Sequence, residues 1–167
     1  MIDLVDSKKR PVHWYMDIDI PARILWGFFS DFRGIGIWWP DDKTKFDFIG
    51  DGIGMIRNIY LEDGSMLSQR LEAMNDAAMI VESTFLNCED YGMRSFRGSM
   101  GVKGLANGWS RLTYTAIAEV LETEDHEEHV DAVEAYLDGF YTSMKAQLEA
   151  RGIASGDATG GVLMAEE

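Results

Sequence analysis

Apolar and polar residues alternate without interruption near the N-terminus. Val12, Trp14, Met16, Ile18 and Ile20 fall on one side, and His13, Tyr15, Asp17 and Asp19 on the other. A period of two over this length is a half-buried strand. Pro21 suits the first turn of a helix, and Ile24, Leu25, Phe28 and Phe29 recur behind it at helical spacing. Ser30-Asp31 and Arg33-Gly34 end that helix, and Ile35 to Trp39, closed by Pro40, reads as a second short helix or turn. From Lys45 to Val120 the chain is a series of short strands: 45–50, 55–61, 66–73, 78–86, 93–102 and 109–120. Turn signals at Asp51-Gly52, Asp63-Gly64, Asn75-Asp76 and Asn107-Gly108 separate them, and Asp-Gly is a strong hairpin signal. An acidic run follows, and carboxylates there complement the dipole of a helix over His126 to Arg151. Val133, Tyr136, Leu137, Phe140, Met144 and Leu148 give that helix one apolar stripe, and Gly152 stops it.

The order predicts an α+β domain over 12–152, with a seven-stranded curved antiparallel sheet wrapped around one long C-terminal helix and two short helices after strand one. Residues 1–11 read as a flexible lead-in and 153–167, rich in Gly and Ala, as a flexible tail. A curved sheet closed on a helix leaves a space between them, and function is expected there.

Composition narrows the choice of ligand. At 167 residues, 46% apolar and 26% charged, the chain has enough material for one real core. The net charge of −14 argues against nucleic acid and anionic lipid surfaces as partners. No apolar run approaches the ~20 residues that span a bilayer, so no membrane insertion is expected. The polar N-terminus lacks the apolar stretch of a signal peptide. With Cys88 the single cysteine, no intramolecular disulfide forms, and a cytoplasmic location is the default expectation.

Several local patterns together resemble the START/Bet v 1-like (SRPBCC) superfamily, and within it the bacterial polyketide cyclase/dehydrase and lipid-transport branch. They are Ile18-Asp19-Ile20-Pro21-Ala22 with Leu25-Trp26 and Ser30-Asp31-Phe32; Trp38-Trp39-Pro40; Gly52-Ile53-Gly54-Met55-Ile56-Arg57 with Asp63-Gly64 and Gln69-Arg70-Leu71-Glu72; and Tyr136 to Leu148. The resemblance implies the helix-grip fold. It implies a function only broadly, since the superfamily includes carriers, receptors and cyclases. Related proteins often place an arginine at the position of Arg57 and an acidic residue at that of Gln69; here the second is an amide.

Parity along the strands assigns candidate cavity residues. If Ile59 and Leu61 face inward, so does Arg57; Leu67, Gln69 and Leu71 share a face, as do Arg94, Phe96, Gly98, Met100 and Val102, and Leu112, Tyr114 and Ala116. The candidate ligand-binding set is Arg57, Ile59, Leu67, Gln69, Arg94, Phe96, Met100 and Tyr114 from the sheet, with Tyr136 and Phe140 from the helix. Small Gly98 and Ala116 leave room. Such a pocket suits an apolar or aromatic molecule with one or two oxygens and is expected to approach the ~300 Å³ usual for ligand sites. Arg57 needs an acceptor because a buried unpaired charge is costly: a ligand oxygen, or else Glu72, Asp47 or a backbone carbonyl. Tyr114 either donates to a ligand or is tied to a neighbour. One of Trp38 and Trp39 could line the pocket while the other fills the base.

Other motifs carry less. Gly50-Asp51-Gly52-Ile53-Gly54 looks like a phosphate loop, but a strand follows it where a dinucleotide fingerprint needs a helix. His126 and His129 lack the spacing of a metalloprotease pair and a third ligand, so no metal and no cofactor is expected. Three readings follow: a carrier of a hydrophobic or aromatic small molecule such as a lipid or polyketide; a cofactor-independent cyclase, dehydratase or isomerase in which Arg57 and Tyr114 are catalytic; and an interaction domain whose cavity is vestigial, which bulky side chains filling the space would favour.

Overall fold

The computed structural model describes residues 9–153. Most of the expected lead-in and tail, 1–8 and 154–167, lies outside the described residues. The elements run β1 (Val12–Ile18), α1 (Ala22–Ser30), a 3-10 turn (Phe32–Gly34), α2 (Ile35–Trp38), β2 (Lys45–Ile49), β3 (Ile56–Tyr60), β4 (Met66–Asn75), β5 (Ile80–Phe85), a second 3-10 turn (Cys88–Tyr91), β6 (Met93–Gly104), β7 (Ser110–Val120) and α3 (His126–Ala150). All seven strands form one antiparallel sheet in the order β1-β7-β6-β5-β4-β3-β2. The helix-grip architecture expected from the sequence is the one observed.

Local chemistry sets the element ends. The Pro21 carbonyl accepts from the amides of Ile24 and Leu25 and opens α1. The Asp31 carboxylate accepts from Gly34 N at 3.1 Å and starts the 3-10 turn. Gly50, Gly52 and Gly54 all have positive φ, which lets the chain reverse between β2 and β3 at little steric cost. The Asp125 side chain caps α3 at Glu128 N, and Glu127 and Glu128 occupy its first turn, where the helix dipole favours them.

α3 lies against the concave face of the sheet through Val130, Leu137, Tyr141, Met144 and Leu148. This stripe is rotated from the expected one: Tyr141 is inside, 4% exposed, while Tyr136 is 56% exposed. Trp14 anchors the crossing by stacking on Tyr141 at 5.2 Å and donating from Nε1 to Asp138. Arg10 adds ion pairs to Glu127, Asp131 and Glu134, and Glu134 also accepts from His13 N.

Two bulges alter the parity read from the sequence. One lies between Met93 and Ser95 in β6. The extra residue there turns Arg94 to the outside, where it is exposed and pairs with Glu119 at 3.4 Å. Arg94 is therefore not a cavity residue. The other lies between Leu71 and Ala73 in β4 and keeps Met74 on the same face as Leu71. Among the described residues, no helix is long and apolar enough to cross a membrane.

Candidate functional site

Sheet and helix enclose a cavity of about 110 Å³. This corrects the expectation of a drug-sized pocket, since ligand sites usually hold ~300–1,000 Å³. Aromatic rings from three elements fill the difference. Phe29 of α1 meets Trp38 edge-on at 4.9 Å, Trp39 meets Phe140 at 4.7 Å, and Phe140 meets Tyr141 at 4.9 Å. Both tryptophans line the cavity and both are buried. Trp39 Nε1 donates to Thr44 and Asp41, whereas Trp38 Nε1 is buried without a partner.

Of the sequence candidates, Arg57, Ile59, Leu67, Gln69, Met100, Tyr114, Tyr136 and Phe140 line the cavity. Exposed Tyr136 stands at its mouth, stacked on Phe140 at 6.0 Å. Phe96 is buried behind the wall, stacked on Tyr114 at 6.4 Å, and is not a lining residue. Gly98 does not make room for a ligand. A Cβ there would lie 2.1 Å from Tyr114 Oη, so the missing side chain makes room for the phenol.

Arg57 organises the polar part of the site. It sits opposite Gln69 on β4, and its Nε donates to Gln69 Oε1 at 2.8 Å. Nη1 donates to the Phe32 carbonyl at 3.2 Å, and the guanidinium carbon lies 3.8 Å from the Phe32 ring centroid. All three partners are neutral. Glu72 is taken by Arg70 and Thr84, and Asp47 by Asn58 and Tyr60. Among the described residues, no carboxylate lies within ion-pair distance of Arg57. Burial lowers its pKa to about 10, partly offset by Tyr141 and Tyr114, so the guanidinium stays charged at neutral pH.

The two tyrosines complete the group. Burial raises the pKa of both Tyr114 and Tyr141 above the usual phenol value, against the opposing pull of Arg57. Both are proton donors at neutral pH and neither is a base. Neither hydroxyl has a hydrogen-bond partner among the described residues, and neither is among the sealed polar atoms. Both residues line the cavity. Tyr141 was missed in the sequence, although Leu137, Tyr141, Met144 and Leu148 are spaced four, three and four apart. Ser83 and Phe32 were missed as well. Among the described residues, the polar lining is thus rich in donors and carries no anionic acceptor: a guanidinium, two phenols, the Gln69 amide and the Ser83 hydroxyl.

The remaining candidates lie elsewhere. His126 Nε2 is 2.8 Å from the Arg10 carbonyl, and its Nδ1 is buried without a partner among the described residues. Cys88 is buried in the second 3-10 turn, and burial raises its thiol pKa. Among the described residues, no three His, Cys, Asp or Glu side chains gather as metal ligands.

No family model and no curated protein matches the chain. Solved structures do. An uncharacterised Bacillus thuringiensis protein superposes with a TM-score of 0.71 at 16% identity, covering 82% of this chain and 97% of that one. XoxI from Bacillus cereus gives 0.67 at 18%, covering 84% and 94%. Norcoclaurine synthase from Thalictrum flavum, in complex with dopamine and hydroxybenzaldehyde, gives 0.65 at 15%, covering 90% and 92%. At these identities the likeness establishes the fold: this chain has a Bet v 1-like helix-grip fold, one that binds ligands in at least one neighbour.

Proposed function

We propose that the protein binds an apolar or aromatic small molecule bearing an anionic or carbonyl oxygen, such as a lipid, polyketide or related metabolite. Arg57 carries this reading: a charged guanidinium on the cavity wall whose protein partners are all neutral. The rings that shrink the cavity suit a vestigial site equally well. The polar groups do not. A cavity kept only as filler has no use for a cation without a carboxylate partner, whose desolvation costs free energy. The small molecule is the intended partner, with no role for nucleic acid or membrane insertion. Kinship with the bacterial polyketide cyclase and lipid-transport branch, and a cytoplasmic location, belong to the same proposal.

The second reading is a cofactor-independent cyclase, dehydratase or isomerase. The observation favouring it is that Tyr114 lines the same cavity as Arg57, whose charge opposes the upward shift of the phenol. Arg57 would stabilise an enolate and Tyr114 would protonate it. Among the described residues, no carboxylate or histidine lines the cavity to serve as base, which is why binding is the primary reading.

Benzoate and benzyl alcohol distinguish the chemistry. Trp38 and Trp39 line the cavity, so intrinsic fluorescence reports occupancy. Benzoate is expected to bind at least tenfold more tightly than the alcohol. Equal affinities, or no binding of either, would overturn the proposal.

A further inference from the structure

β4 presents one inner face along which two spaces lie. Leu67 and Gln69 line the cavity, while Leu71 and Met74 line a second, open groove of about 500 Å³. The β4 bulge makes this continuity possible. Leu71 pairs with Ser83 and Met74 with Val81, and both partners line the cavity. The groove has an apolar floor of Phe32, Met55, Leu71 and Met74, with exposed Ile53 at its edge.

Among the described residues, Phe32 alone borders both spaces. It sits in the short 3-10 turn between α1 and α2. Arg57 holds it twice, through the ring at 3.8 Å and the carbonyl at 3.2 Å. Both contacts set a neutral acceptor against a cation, and an oxyanion is the stronger partner. A ligand oxyanion that draws Nη1 away from the Phe32 carbonyl therefore loosens the hold on Phe32.

Charge fixes the direction in which a ligand would lie. The groove rim carries Asp31 and Asp51 against Arg33, which pairs with Asp51 at 3.0 Å. An anionic head is disfavoured there and favoured at Arg57. We infer that Phe32 is a movable partition between two halves of one site, whose ligand is an amphiphile with its anionic head at Arg57 and a linear apolar chain passing Phe32 into the groove. This rests on the anion-binding reading above and extends it. It also removes the conflict between a 110 Å³ cavity and a ligand of ordinary size.

The test uses straight-chain carboxylates, butanoate and dodecanoate, followed by tryptophan fluorescence in the full chain. Ile53→Asp places a charge at the groove edge at an exposed position, so folding is not at stake. It is expected to weaken dodecanoate binding at least tenfold and to leave butanoate within twofold. Phe32→Leu shortens the partition and is expected to tighten dodecanoate several-fold without tightening butanoate. Dodecanoate that ignores Ile53→Asp, or a loss shared equally by both acids, overturns the two-chamber site. If butanoate still depends on Arg57 in that case, the anion-binding proposal stands. If butanoate binds equally well to Arg57→Met, or neither acid binds the wild type, both fall.

Discussion

Replacing Arg57 with methionine separates a ligand-binding arginine from a structural one. Methionine keeps the apolar length of the side chain and removes the charge. Burial holds the Arg57 pKa at about 10 against an ordinary 12.5, a difference on the order of 3 kcal/mol against the charged form. Its loss favours the variant. Against that, the Phe32 carbonyl and Gln69 Oε1 lose their donor, at about 1–3 kcal/mol for each acceptor left unsatisfied. Gln69 lines the cavity and can turn or take water, so its share is at the low end. The terms nearly cancel, and stability should change by no more than about 2 kcal/mol, a melting shift within about 8 °C for a domain of this size. Benzoate binding should weaken by about 1.5–3 kcal/mol, the range for hydrogen bonds to charged groups, or roughly 10- to 150-fold. Calorimetry without ligand and a fluorescence titration with benzoate measure the two quantities. A fall of 3–5 kcal/mol, the mark of a broken buried pair, together with unchanged benzoate affinity would refute the reasoning and make Arg57 part of the scaffold.

Three further outcomes follow from the same geometry. Gln69→Glu places a carboxylate within 2.8 Å of Arg57 Nε; it should raise the melting temperature and abolish benzoate binding, and retained binding would remove the charge argument. Gly98→Ala puts a Cβ 2.1 Å from Tyr114 Oη; it should destabilise by about 1–3 kcal/mol, as overpacking does, and most of that loss should vanish in a Tyr114→Ala background if the clash is its cause. Glu134 is shifted up by burial but further down by His13 N–H and Arg10, so its folded pKa is depressed. Its stabilising contribution is present above the unfolded carboxylate pKa and is lost as pH falls through the folded one. Glu134→Gln should therefore lower stability at pH 7 and match the wild type near pH 2, by thermal melts across that range; an equal deficit at both pH values would sink the ion-pair account.

What the sequence revealed and what it hid divide along physical lines. β3 is short and unbulged, so inward Ile59 placed Arg57 correctly. Arg94 failed because a bulge inserts one residue without any mark in the composition, and one residue reverses parity. Tyr141 was legible by spacing, but a stripe of the same period runs through Tyr136 and Phe140 beside it, and only packing decides between neighbouring faces. The cavity's size was not legible at all. It depends on how rings from α1, α2 and α3 meet across the fold, which no local pattern records. Phe32 lies in a 3-10 turn too short to carry a period, so its place between two spaces emerges only in three dimensions.

The charge balance of the whole chain gives the half-buried cation its meaning. With a net charge of −14, the protein's outer field repels an anionic ligand at long range. At physiological ionic strength that field fades within about 8 Å of the surface, while the interior is screened far less. An anion-binding site on such a protein therefore works only if its positive group is recessed and locally unopposed. Arg57 meets both conditions: it lines the cavity with neutral protein partners, and Glu72 and Asp47 on the two neighbouring strands pair with Arg70 and Tyr60. The same arrangement discriminates. A neutral apolar molecule gains only the rings, and a dianion brings two charges to a single guanidinium at a greater desolvation cost. On the anion-binding proposal, a single oxyanion on an apolar body is the ligand that meets the guanidinium and leaves its apolar surface to the rings.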